Sequence, residues 1–283
     1  ESVALEGDGD GVEFAVIKTK LKELQAEETT ISILPDYILV KGDTYVAYNL
    51  ANVKAEIGLL KTENGGAWAK APGYGNPLVS HKYGADPFVM EYDGRIYVYM
   101  SDDQGAYLDR NVENDQANDY GKLQRLSIIS SADMVNWTDH GTVPLNRNLP
   151  GAVTTWANNM FAPAAAHKEI DGKEQFFVYF ANSANGIGVL QGDSPIGPFH
   201  DPIGKELISR STPGCSAGLV PWLFDPAVFI DDDGTAYLYF GGGVGSDSDH
   251  PKSARCIQLG DDMISTVGTA QEIDAPGLFE DSG

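Results

Sequence analysis

Three carboxyl residues stand where their neighbours repeat. Asp86 and Asp225 each precede a proline at the start of an apolar run, in Asp86-Pro87-Phe88-Val89 and Asp225-Pro226-Ala227-Val228. Glu280 follows the related pair Ala275-Pro276. Carboxyls brought together from separate units meet the needs of glycosidic hydrolysis. One must stay protonated to deliver a proton to the leaving oxygen, and another must be ionised to activate water. A third negative charge nearby raises the pKa of the acid. A lone Asp-Pro is more often just the start of a strand, because proline is tolerated where no ladder N–H is needed. Two copies in register, plus a carboxyl from the next unit, bring the two readings level.

The other chemistry-bearing residues are weaker. Asp231-Asp232-Asp233-Gly234 could hold a metal, but its place in the repeat makes it a turn. Gly241-Gly242-Gly243-Val244-Gly245 lacks the Lys-Ser/Thr of a phosphate loop. His81, His140, His167, His200 and His250 are scattered, with no pair at zinc spacing. Cys215 and Cys256 are too few for a disulfide framework and read as free thiols. The acidic stretch Glu6–Gly11 lacks the closing glutamate of a calcium loop. Phe161 stands directly before Ala162-Pro163, where an aromatic could stack on a sugar ring or simply fill the core. Trp156 and Trp222 carry the same ambiguity.

These residues need a scaffold, and an internal repeat supplies it. Asp86-Pro to Asp93-Gly94 is followed by Arg95–Met100, Ala162-Pro to Asp171-Gly172 by Phe176–Phe180, and Asp225-Pro to Asp233-Gly234 by Thr235–Phe240. Each copy reads as a strand, an Asp-Gly turn and an alternating aromatic strand, the pattern of a β-hairpin. Weaker strands follow, at 126–130 with 137–143 and at 186–191 before Gly197-Pro198-Phe199. A fainter copy lies at Pro35–Tyr48, with Gly42-Asp43 at its turn, and the segment Lys18–Glu28 has helical spacing. A period of about 60–75 residues with four strands per unit predicts an all-β, five-bladed β-propeller whose last blades are not in this chain. The hairpin turns then point to one end, while Asp86 and Asp225 share the other with the loops 101–122, 182–186 and 241–253. Asn182 opens one of these loops and joins Phe161 and Trp222 as a candidate substrate contact.

Composition narrows the partners. Net charge is −22 over 283 residues, so nucleic acid and anionic membrane surfaces are disfavoured while a neutral polysaccharide is not. No apolar run approaches a membrane span. The absence of an initiating Met or signal region at Glu1 reads as a processed or trimmed terminus. Residues 1–32 are expected to be an extension, 33–80 a blade-like or accessory segment, and 81–283 the N-terminal blades, with a second chain supplying the remainder.

The motifs together resemble glycoside hydrolase family 43. They are Tyr83-Gly84-Ala85-Asp86-Pro87-Phe88, Phe161-Ala162-Pro163 through His167, Ser211-Thr212-Pro213-Gly214-Cys215, Leu223-Phe224-Asp225-Pro226 and Leu278-Phe279-Glu280-Asp281-Ser282-Gly283. The resemblance runs from about residue 76 to the end and looks most like the arabinoxylan arabinofuranohydrolase branch. It implies that Asp86 is the general base, Asp225 the carboxylate that tunes and orients the acid, and Glu280 the general acid. It further implies a secreted, inverting, exo-acting α-L-arabinofuranosidase acting on plant cell-wall arabinoxylan or arabinan. No cofactor is required for the chemistry, and family members often hold a calcium ion on the propeller axis. The family often has Trp where Phe161 stands; Phe keeps a stacking surface and lacks the indole donor. A β-xylosidase or arabinanase on the same scaffold is the near alternative, and a non-catalytic glycan-binding propeller the distant one.

Overall fold

The computed structural model describes residues 30–34, 37–41, 45–48, 67–69, 78–79, 82–103, 120–243 and 253–273. Glu280, the helical pattern at 18–28, the acidic stretch at 6–11 and the start of a further blade at 275 lie outside the described residues. The described residues fall into two compact units, one of residues 1–83, 93–96 and 129–140 and the other of residues 84–92, 97–128 and 141–283.

In the first unit, β1 (Thr30–Leu34), β2 (Tyr37–Lys41) and β3 (Tyr45–Tyr48) form an antiparallel meander in that order. β2 and β3 pair antiparallel, and the expected turn at Gly42-Asp43 lies outside the described residues. β1 begins at Thr30, so a strand reaches back into the stretch read as an extension. The short β4 (Ala67–Ala69) pairs with the start of β8 (Asn136–Pro144), with Trp68 opposite Trp137. Trp137 is buried, in keeping with a packing role. A polar network also crosses this unit. Arg95 donates from Nε to Ser130 Oγ at 2.9 Å and from Nη2 to Thr138 Oγ1 at 3.1 Å. Ser130 Oγ also shares a hydrogen bond with His140 Nε2, 2.7 Å away. Burial, with Arg95 beside it, holds the His140 pKa below its ordinary value, which favours the neutral ring.

The repeated hairpins carry the second unit. β5 (Gly84–Tyr92) and β6 (Arg95–Asp102) are joined by Asp93-Gly94, while β9 (Phe161–Ile170) and β10 (Lys173–Ala181) are joined by Asp171-Gly172. Both turn residues have positive φ in each case, 50° and 69° in the first and 54° and 76° in the second. That is the two-residue turn whose twist matches its strands, and Asp-Gly is its preferred sequence. β13 (Ala227–Ile230) and β14 (Ala236–Phe240) close differently. Asp231 N–H donates to Thr235 O at 2.8 Å around Asp232-Asp233-Gly234, and only Gly234 takes positive φ. The triple aspartate is thus turn chemistry.

Each hairpin is extended into an antiparallel sheet. β7 (Arg125–Ser131) and β8 continue the first, giving the order β4-β8-β7-β6-β5. β11 (Ile187–Gly192) and β12 (Phe199–His200) continue the second, and β15 (Arg255–Leu259) and β16 (Thr266–Glu272) the third. The first strands lie side by side, with β9 between β5 and β13.

Strand alternation explains the stacking. On β10, Phe176, Val178 and Phe180 join Met90, Tyr99 and Leu126 in one core. Phe177 and Tyr179 point the other way, into a core with Leu238, Phe240 and Ile257. Successive side chains face opposite sides of a strand, so the second sheet is apolar on both faces and must be sandwiched. Each buried aromatic contributes about 1.5–3 kcal/mol. Two tyrosines stitch sheet to sheet at equivalent places. Tyr99 O–H donates to Pro195 O at 2.7 Å and Tyr179 O–H to Met263 O at 2.8 Å. Each acceptor lies between the last two strands of the following sheet. The fold is all-β in successive stacked sheets, and the described residues form no closed ring.

Candidate active site

The site begins with a backbone feature shared by the three first strands. Asp86, Ala162 and Asp225 all take positive φ, at 50°, 44° and 47°, and each precedes a proline. Left-handed backbone at a residue other than glycine costs about 1–3 kcal/mol and persists where packing imposes it. Its cause is visible in the second sheet. There Tyr179 pairs with Ala164 and Ala181 with Phe161, so Ala162 and Pro163 together face Phe180 alone. This is a β-bulge, which bends a strand and re-aims a side chain. Proline suits the extra position because it has no N–H to leave unpaired. The third sheet repeats the bulge: Ala227 pairs with Tyr239 while Gly241 N–H donates to Phe224 O at 2.9 Å. Asp225 and Pro226 are left facing Phe240.

The left-handed starts at Asp86 and Asp225 carry two predicted carboxyls that act on each other electrostatically. Partial withdrawal from water and then the charge of Asp86 push the Asp225 carboxyl above its ordinary pKa. A group that feels a like charge this way holds its proton more readily. The same Asp86 charge acts on a carboxyl absent from the sequence reading, Asp103. Burial first, then Asp86 and Asp102, push Asp103 up to about 6, while a hydrogen bond from the Ala85 N–H pulls the other way. Asp103 directly follows β6, at the end of the hairpin opposite its turn. That position was the one available signal. The Asp86 charge therefore acts on both Asp103 and Asp225, while Glu280 lies outside the described residues.

Aromatic rings adjoin the carboxyls. Phe161 meets Phe224 at 6.0 Å between ring centres and Tyr120 edge-on at 6.4 Å, and Trp222 meets Phe224 at 6.4 Å. Phe161 is only 8% exposed and packs with Leu123, Ala162 and Ala181, so of its two expected roles the structure favours core packing. Trp222 is 53% exposed and Tyr120 63%, and these are the faces open to a ligand. Trp222 lies over a glycine backbone. Its N–H donates to Gly242 O at 3.1 Å, and a Cβ on Gly243, at φ 74°, would come within 3.0 Å of the indole.

Asn182 serves the scaffold. Its Oδ1 accepts the N–H groups of Asn158 at 2.9 Å and Asn159 at 3.1 Å. Asn159 in turn donates from Nδ2 to Tyr120 O at 3.1 Å, and Ser183 Oγ donates to Asn159 Oδ1 at 2.8 Å. The network braces the segment entering β9 beside Phe161 and the exposed Tyr120. Among the described residues no group of three or more His, Cys, Asp or Glu could hold a metal ion. Cys215 and Cys256 are free, the first buried and the second partly so.

A family model, that of Glycosyl hydrolases family 43, matches residues 74–282. The chain belongs to this family. It is 54% identical over 225 residues to an arabinoxylan arabinofuranohydrolase of Paenibacillus polymyxa, covering 76% of this chain and 35% of that protein. It is equally 54% identical over 226 residues to the arabinoxylan arabinofuranohydrolase of Bacillus subtilis, covering 76% of this chain and 43% of the relative. Among solved structures it resembles a Bacillus subtilis arabinoxylan arabinofuranohydrolase in complex with cellotetraose, with 52% identity and a TM-score of 0.67. That match covers 73% of this chain and 44% of the other. An α-L-arabinofuranosidase from Clostridium thermocellum matches with 39% identity and a TM-score of 0.52, covering 68% of this chain and 56% of the other. The chain spans less than half the length of the two arabinoxylan arabinofuranohydrolases. In each of these the matched stretch belongs to one longer polypeptide, which gives no support to a second chain.

Proposed function

We propose that this chain forms the catalytic front of an inverting, exo-acting α-L-arabinofuranosidase that removes arabinofuranosyl groups from arabinoxylan or arabino-oligosaccharides. The observation that carries this reading is the pair of left-handed residues before proline, Asp86 and Asp225, with the Asp86 charge acting on Asp225, in a chain 54% identical to arabinoxylan arabinofuranohydrolases. Asp86 serves as the base that takes a proton from the attacking water. Glu280 serves as the acid that protonates the leaving oxygen. Asp225 adds a negative charge that keeps the acid protonated and orients it. Trp222 offers an exposed ring to a sugar face, whereas Phe161 and Asn182 shape the wall behind it. Attack by water opposite the leaving group inverts the anomeric carbon and requires about 6.5–9.5 Å between the Asp86 and Glu280 carboxyls.

The same reading includes a five-bladed propeller. Tyr239 lies two residues before Gly241, as Tyr179 lies two before Ala181, and so continues the series of tyrosines that reach the next sheet. Tyr239 is 36% exposed and Phe229 53%, on the side of the third sheet away from its core. A further blade packed there would bury both. The substrate is a cell-wall polymer too large to cross a membrane, which places the enzyme outside the cell.

The test uses the full-length protein on nitrophenyl α-L-arabinofuranoside, nitrophenyl β-D-xyloside and arabinoxylan. Arabinose release from the first and third is expected, with the inverted anomer appearing first by NMR. Turnover of the xyloside alone would make the enzyme a xylosidase. Binding of arabinoxylan without turnover would make it a glycan-binding propeller.

A further inference from the structure

Trp222 stands at the end of a segment that forms no strand. Residues 209–222 run between β12 and β13, held by turns such as Thr212 N–H to Ser209 O at 3.0 Å and Val220 N–H to Ser216 O at 2.9 Å. The indole rests against Gly243 and is 53% exposed, three residues before Asp225. An exposed ring contributes most to binding when the backbone beneath it is already fixed, because ordering it on contact costs affinity. Two amides do part of this. Trp222 N–H donates to Gly242 O at 3.1 Å and Leu223 N–H to Ala184 O at 2.9 Å. The residue before Trp222 is Pro221, which has no N–H, so its carbonyl is the backbone group left to tie the chain on that side.

Arg210 supplies that tie. Its Nη2 donates to Pro221 O at 2.7 Å and to Ala184 O at 3.0 Å, and its Nη1 donates to Val220 O. The guanidinium thus joins the chain entering Trp222 to the segment after β10, on the same carbonyl that Leu223 N–H uses. We propose that Arg210 is a positioning residue that presents the Trp222 ring to the sugar. This inference rests on the reading of Trp222 as a substrate contact. The planar fork reaches three carbonyls at once, whereas a lysine ammonium is a point charge on a flexible stem. Earlier in the same segment, Leu219 O accepts from a second arginine, the buried Arg255, at 3.0 Å. That anchor stays when Arg210 is changed, so the loss falls on the last residues before Trp222. A ring that is no longer held in place weakens binding of ground state and transition state alike, which raises KM and leaves kcat.

The experiment measures kcat and KM of the full-length protein on arabinoxylan for wild type, R210M, R210K, W222A and the double variant R210K/W222A, with thermal unfolding as the fold control. R210M is expected to raise KM about fivefold with kcat within about twofold of wild type, the scale on which one unordered side chain weakens binding. R210K, which keeps the charge and loses the fork, should fall between wild type and R210M. W222A should itself raise KM, and in that background R210K should add nothing, because the ring it presents is gone. Unchanged KM in R210M, a fall in kcat at unchanged KM, or KM increases that multiply in the double variant overturn the proposal. If R210M does not fold, R210K alone and in W222A decides. If W222A leaves KM unchanged, Trp222 is not a sugar contact and this inference falls with that reading. If W222A raises KM and the Arg210 variants match wild type, only the inference fails.

Discussion

Two kinds of strand start share one backbone. Asp86 and Asp225 project carboxyls from left-handed residues before proline, and Ala162 adopts the same conformation with φ 44° while offering only a methyl group. The methyl is buried with Phe161 and Leu123, and the Ala162 N–H donates to Oγ of the fully buried Ser101 at 3.2 Å. The left-handed start is thus a property of the repeated sheet, present at all three places. The chemistry is a later choice of side chain. Aspartate tolerates left-handed backbone better than alanine, because its short polar side chain can bond locally. The start without a carboxyl is therefore the more strained of the two kinds.

Substitutions can break that contrast. The largest effect is expected from D86N, which keeps size and removes the base. kcat should fall by about 10²–10⁴, in the range of general-base catalysis, while A162N at the equivalent place stays within a few-fold of wild type. Equal losses in both variants would mean that the strained backbone, and not the carboxyl, matters to turnover. D225N comes next. Removing its negative charge should make the acid easier to ionise and move the alkaline limb of the kcat profile to lower pH by about one unit. An unmoved limb would detach Asp225 from the acid.

Smaller effects sharpen the structural half of the comparison. S101A strips a buried N–H of its acceptor and should cost about 1–3 kcal/mol in urea unfolding. The kcat of the folded fraction should be unchanged, since the bond belongs to the start without a carboxyl. The smallest change is expected for A162G. Relief of left-handed strain, about 1–2 kcal/mol, is nearly offset by the lost methyl at about 0.8 kcal/mol and by the freer unfolded chain. Stability within about 1 kcal/mol of wild type is the expected outcome. A loss well beyond that would show that Ala162 carries no strain.

Much of this was legible in advance because its causes are local. An Asp-Gly pair needs only its own two φ angles to make a turn, as at residues 93–94 and 171–172. Alternation on β10 needs only the strand period to place Phe176 and Phe177 on opposite faces. A proline after Asp86 or Asp225 marks a strand start by its missing donor. The sequence by itself therefore determined the hairpins, the ends at which their turns and carboxyls lie, and the family. Only tertiary structure decided that Asp103 senses Asp86, that Phe161 is enclosed while Trp222 is open, and that Asn182 spends its oxygen on the amides of residues 158 and 159. Desolvation and charge coupling depend on which sheets stack and how closely, and a residue's nearest neighbours in sequence do not encode that.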